Sequence, residues 1–515
     1  MLVNDHRSHS RPLDIHSWSD HPEINIIIDK VWQSLGAKRQ DQLTPKGNRK
    51  GTKPKRMLKV LLVHLYATFL DDPMLWTDVA RSANAYMPTS RYNSLNISFK
   101  IVQLIDGLVE LGYLDFTGGS NGKTFKGWNS FTSRIRPSHI LKVEFGKCTA
   151  NLFDIKKHKS KITVILSDFD IDVEGRLVRR RGNKLRQLVE YIDTDETKRM
   201  ELMLYAYNSL LYKTYIDIGP LEKNYVERDT KIGIERIPIN QTNKFVNRIF
   251  SRGSWTNNGR FYGGFWQQLG KDYRKNILIN DKATIEVTFK GIRPFILSIS
   301  KGEEFGGYEL KKDILPNLNK KQQERTLKLL VLISINASTK QQAYKAFRKR
   351  SGILIKDQEL DKLLDAFLEL NPHLAGDLFA DKDLRLLHIE SLFLEYVIRK
   401  FTYTEVPILS IHDSIIVQYD QLLKLKEYMT EASVSVLGKP ITFEQDTVDD
   451  TEGIHLKEIN LDFHNRLVAK VPEVIRSDRY LRTYKKFTHW IDWNSLGAKP
   501  DRIVTDWRER KRHLS

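Results

Sequence analysis

The chain has 515 residues, 40% hydrophobic, 10% aromatic and 29% charged, which is too long for one ordinary core and predicts roughly two to four domains. Its 83 Lys and Arg against 64 Asp and Glu leave a net charge of +19, which draws polyanions at long range and points to nucleic acid. One cysteine, Cys148, excludes an intrachain disulfide and any zinc or iron–sulfur centre held by several cysteines.

The N-terminal stretch carries no apolar signal core, and a short helical pattern runs from Ile24 to Leu35. Lys46 to Lys59 then holds seven basic residues in fourteen, broken by Gly and Pro. Residues 1–56 are expected to be a flexible basic arm, with Lys50, Lys53, Lys55 and Arg56 available to phosphates or simply solvated. MLKVLLVHLYATFL predicts an amphipathic helix, and a second one carries Ile101, Leu104, Ile105, Leu108 and Leu111 before Gly112. A strand from Tyr113 to Phe116, a Gly-rich turn and a strand near Thr132 to Ile135 follow. This order resembles the winged helix-turn-helix domains of DNA-binding proteins, so 57–149 is expected to be winged-helix-like.

Residues 150–242 predict a strand in KITVILSD, a basic run and a long helix from about Thr194, in a connecting α/β region. Arg179, Arg180 and Arg181 in the run have the fork geometry that suits phosphate, and suit a solvated face equally. Next comes SRGSWTNNGRFYGGFWQQLGKDYRKNILIN. Its aromatics beside Arg260 suit either bases and phosphates or a core edge. ATIEVTF alternates as a strand, with Glu286 and Thr288 on one face and Ile285, Val287 and Phe289 on the other. IRPFILSI begins a helix, QQERTLKLLVLISINAST predicts another with Arg325 and Lys328 one turn apart, and a long helix starts near Lys382. Asp377, Asp381 and Asp383 are expected to cap that helix. VPILSIHDSIIVQYD predicts two short strands with His412 and Asp413 at the bend, where a charge acts as a turn residue or a metal ligand. Near the C-terminus, Trp490, Trp493 and Trp507 among basic residues either form a binding surface or dock the tail onto the body.

This succession resembles the palm and fingers of family A polymerases, which include polymerase I-like DNA polymerases and single-subunit phage RNA polymerases. TFKGIRPFILSIS looks like the first palm motif, the Arg325–Lys328–Ile335–Asn336 stretch like the fingers motif, and SIHDSIIV like the third motif. With GRFYGG and WQ ahead of the first motif, the chain is similar to a phage- and plasmid-borne group of such proteins. The resemblance implies an α+β multidomain fold. Its parts are a palm of antiparallel sheet with helical fingers over 243–430, a candidate thumb equivalent in 150–242 and a C-terminal region over 431–515. It implies a nucleotidyltransferase that binds DNA or RNA and a nucleoside triphosphate, with Mg2+ or Mn2+ held by Asp413 and a partner carboxylate. Lys328, with Arg325, Arg293 and Arg260, would meet triphosphate oxygens, and His412 would contact the primer. The chain departs from the family at four places. Thr288 stands where the first-motif aspartate is expected, Arg293 replaces an acid or His, Arg325 is one residue too close to Lys328, and Ile335-Asn336 stands where Tyr-Gly is expected. Glu286 is the remaining candidate second carboxylate. The expectation is therefore a cytoplasmic nucleic-acid-binding protein with a polymerase-like core and weak or lost transfer. The alternatives are an active polymerase using Asp413 with Glu286, or a non-enzymatic replication regulator or defence-complex subunit.

Overall fold

The computed structural model describes residues 10–44, 53–124, 127–171, 177–179, 188–230, 233–290, 292–310, 313–380, 383–411, 414–440, 444–447, 462, 465, 471 and 473–497. Lys50, Arg180, Arg181, His412 and Asp413 lie outside these residues.

The N-terminal unit is built around a helix that is buried on every side from Val60 to Thr68. Helices α1 (Pro22–Ser34), α2 (Gly36–Leu43), α3 (Pro54–Asp71), α4 (Lys100–Glu110) and α5 (His139–Gly146) share one core. Strands β1 (Ser10–Pro12), β2 (Trp76–Val79), β3 (Leu114–Thr117) and β4 (Ser133–Pro137) form a sheet in the order β1-β2-β4-β3. Pro54 opens α3, where its missing N–H and fixed φ cost nothing. Leu58, Val60, Leu61, Leu62, Val63, Leu65 and Tyr66 are all buried, so α3 is a central helix and not the amphipathic one its sequence suggested. Two expectations are corrected here. Ile24, Ile27, Ile28 and Val31 of α1 pack into the same core, so residues 22–43 belong to the folded unit and not to a flexible arm. The helix with Lys55 and Arg56 likewise starts at Pro54, inside the expected arm.

The second body runs through most of the remaining chain. Its main sheet contains β6 (Ile216–Ile218), β9 (Ile277–Ile279), β10 (Lys282–Lys290), β12 (Ser414–Gln418) and β11 (Leu409–Ile411), in the order β6-β9-β10-β12-β11. The strand β13 (Glu444–Thr447) pairs with the far half of β10. A smaller sheet joins β5 (Val164–Leu166), β7 (Val246–Phe250) and β8 (Asn258–Gly263), with β5 parallel to β7. Helix α6 (Asp195–Tyr212) starts with a Thr194 capping box and has Asp195 and Glu196 in its first turn, where the helix dipole favours acids. Its Met200, Leu204, Tyr207 and Leu211 lie in the core shared with residues 243–437. Residues from Val164 to Ile239 thus contribute to this body, while Ala150 and Ile155 pack in the N-terminal core, which corrects the expectation of one connecting region over 150–242.

The short helix α7 (Lys271–Arg274) precedes β9, and α8 (Ile292–Ser300) follows β10. Helices α9 (Lys320–Asn336), α10 (Lys340–Ser351) and α11 (Asp357–Leu370) stack as a helical group. Next come the long α12 (Asp383–Tyr403) and α13 (Leu422–Leu437), which packs on it across the boundary expected at residue 430. The last described helix, α14 (Asp478–Gly497), lays Tyr480, Phe487 and Trp490 against Phe153 and Tyr215. The Trp490 indole donates to Asp154 Oδ1 at 3.0 Å, so this Trp docks the tail onto the body. No described helix is long and apolar enough to cross a membrane.

Candidate functional site

The strand β10 is the axis of the candidate site. In its register with β12, Ile285 faces Val417, Glu286 faces Ile416 and Thr288 faces Ser414. The adjoining hairpin pairs Ile411 with Ser414, and His412 and Asp413 connect those two residues in sequence. The two elements that the sequence singled out are therefore hydrogen-bonded neighbours. On the other side of β10 the register places Asp446 opposite Thr288.

Glu286 is 6% exposed and held from two directions. Arg274, at the end of α7, forms a bidentate pair with it, Nε to Oε2 at 2.8 Å and Nη2 to Oε1 at 2.9 Å. Ser414 Oγ donates to Oε1 at 2.7 Å. Arg274 is itself fixed by donating from Nη1 to the Leu269 carbonyl. A carboxylate neutralised by a forked guanidinium has little charge left for a divalent cation. Glu286 thus sits beside strand β12, but in an ion pair that the sequence reading did not include.

Arg260 and Arg293 converge on one internal acid. Arg260 Nη2 lies 2.8 Å from Glu390 Oε2, and Arg293 Nε lies 2.8 Å from Glu390 Oε1. Burial pushes the Glu390 carboxyl up, but the Arg293 and Arg260 charges outweigh it and hold it below the usual range. Arg293 also donates to Asn336 Oδ1 at 2.8 Å, tying α8 to the end of α9. Nearby, Arg248 is 1% exposed and pairs with Glu395 at 2.7 Å. The two arginines expected at a triphosphate therefore meet their counter-charge on α12. An acid on an otherwise apolar helical stretch, as in LLHIESLFLEYV, is the sequence signal for such a partner.

The aromatic stretch resolves toward packing. Phe261, Phe265 and Trp266 are fully buried, and the Trp266 indole donates to the Ser410 carbonyl at 3.0 Å. The glycines serve close approach. Gly263 has φ +122°, and a Cβ there would lie 2.3 Å from the Phe245 carbonyl oxygen.

On α9, Arg325 is exposed, while Lys328 is half-buried with its Nζ 5.4 Å from the Tyr308 ring centre. Lys53 and Arg56 are exposed at the start of α3, and Lys55 pairs with Asp29 at 2.5 Å. Arg179 is described through its backbone, paired with Phe169 in a short hairpin. Asp377 is fully buried against Lys301 at 2.5 Å, which corrects the expectation that it caps α12. No protein-family model matches this chain, and no curated protein matches it.

Proposed function

We propose that the protein binds nucleic acid through a polymerase-like core in which nucleotidyl transfer is weak or lost. The observation that carries this reading is Glu286, locked by Arg274 and Ser414 beside a neutral Thr288, so that strand β10 offers no open carboxylate at those two positions. A two-metal site needs carboxylates able to share cations about 4 Å apart, and losing one costs several kcal/mol of transition-state stabilisation. Binding is supported by the +19 charge and by exposed Lys53, Arg56, Lys320, Lys321, Arg325, Lys349 and Arg350. The resemblance cited for the sequence makes Mg2+ or Mn2+ and a nucleoside triphosphate the ligands of an active form.

A second reading rests on Asp446, which the register sets opposite Thr288. In it an acid on the neighbouring strand replaces the missing aspartate and serves with Asp413 in a metal-dependent DNA or RNA polymerase. Primer-extension and terminal-transfer assays with Mg2+ and Mn2+, run beside filter binding, separate the two. The first reading expects no incorporation above that of Asp413→Asn, with retention of DNA or RNA that falls steeply with salt and is unchanged in the variant. The second expects incorporation that both Asp413→Asn and Asp446→Asn abolish. Absence of both incorporation and salt-dependent retention removes the reading altogether.

A further inference from the structure

We infer that His21, Glu23 and Cys148 form a zinc site that clips the start of α1 to the end of α5. One ligand atom from each residue lies within 4.8 Å of the others, the sole such group of three among the described residues. A tetrahedral zinc ion with bonds of about 2.0–2.3 Å needs ligand separations of about 3.4–3.6 Å, within reach of side-chain rotation from this spacing. The inference stands apart from the polymerase-like reading, because all three residues belong to the N-terminal unit.

The surroundings favour a ligand in this position. His21 occupies the N-cap of α1 but makes no capping hydrogen bond, and its Nδ1 is buried without a partner. An unpaired buried ring nitrogen is costly unless a cation or donor meets it. The Glu23 carboxylate is oriented by Thr149, whose backbone N and Oγ1 both donate to Oε2, at 2.6 and 3.0 Å. Such supporting hydrogen bonds hold a ligand in place before a metal arrives. The Cys148 loop is held as well. Its backbone N donates to the Phe145 carbonyl at 3.1 Å, and the Tyr66 hydroxyl donates to the Ala150 carbonyl at 2.5 Å. A thiolate, an imidazole and a carboxylate select Zn2+ over Mg2+ and leave one tetrahedral position for water.

The test is titration of the full chain with Zn2+ against a chromophoric chelator, with Co2+ as a spectroscopic substitute. The expected result is one equivalent bound, a thiolate-to-cobalt charge-transfer band, and a rise in thermal midpoint on adding Zn2+. In Cys148→Ser the band disappears and affinity falls by about 100-fold, while excess Mg2+ does not displace zinc from the unaltered protein. Because Cys148 borders the core, Glu23→Gln provides an independent arm whose affinity falls by at least about tenfold. The inference is overturned if the unaltered chain binds no stoichiometric zinc, or if either folded variant binds it as tightly.

Discussion

Arg274 and Glu286 leave little of either charge exposed, with 11% and 4% of their side chains accessible. Removing Arg274 therefore strands a buried carboxylate between β10 and β12. Arg274→Ala is expected to lose about 3–5 kcal/mol of unfolding free energy, measured by urea denaturation. Adding Glu286→Gln removes the stranded charge and should restore part of that loss. A loss in Arg274→Ala below about 1 kcal/mol would mean the pair is not the anchor described here. This pair also shows why the fate of Glu286 could not be read in advance. The alternation along ATIEVTF places Glu286 correctly on a strand face, but its partner lies twelve residues earlier on a one-turn helix that only the folded backbone brings back.

At the scale of elements, α14 fastens the C-terminal part through a few large rings. Phe153 lies 5.1 Å from Phe487 and 5.8 Å from Trp490, centre to centre, and Tyr212 meets Trp490 edge-on at 5.4 Å. Trp490→Ala should cost about 3–5 kcal/mol by denaturant unfolding, since it opens a cavity and takes the indole donor away from Asp154 Oδ1. An unchanged midpoint would contradict the docking. The locally periodic elements were legible in the sequence: α9, the strand over 282–290, α12 and the hairpin around 409–418 all follow short-range patterns. Membership of elements in bodies was not. The parallel pairing of β5 with β7 joins Ile165 to Ile249, and the burial of α3 on all sides from Val60 to Thr68 depends on neighbours from both directions along the chain. Neither leaves a mark in a window of a dozen residues.

Across the whole molecule, burial holds histidines away from protons, His64 and His16 in the N-terminal unit and His388 in the second body. Burial pushes the His64 imidazole down to about 3, with the Arg11 and Lys157 charges adding to it and Asp14 opposing. Burial also pushes His388 down to about 4, with Arg248 adding and Glu395 opposing. The unfolded chain takes up protons at these positions near pH 6.5, whereas the folded chain refuses them until well below it. Stability is therefore complete above about pH 6.5 and declines as pH falls toward the depressed values. At pH 5, His64 alone accounts for a loss of about 2 kcal/mol. Denaturant midpoints measured from pH 7 to 5 should fall in the unaltered protein and fall less in His64→Asn. A flat profile in the unaltered protein over that interval would count against these burials.

Arg479 reaches back 262 residues to fork onto Asp217, itself 1% exposed on edge strand β6. Ser477 donates its backbone N–H to the Gly219 carbonyl from the same side. During synthesis Asp217 leaves the ribosome long before its guanidinium partner has been translated. Until then this corner of the sheet holds a buried acid without its forked guanidinium and a free edge, so a nascent chain stalled before residue 479 is the form most exposed to mispairing and to chaperone capture.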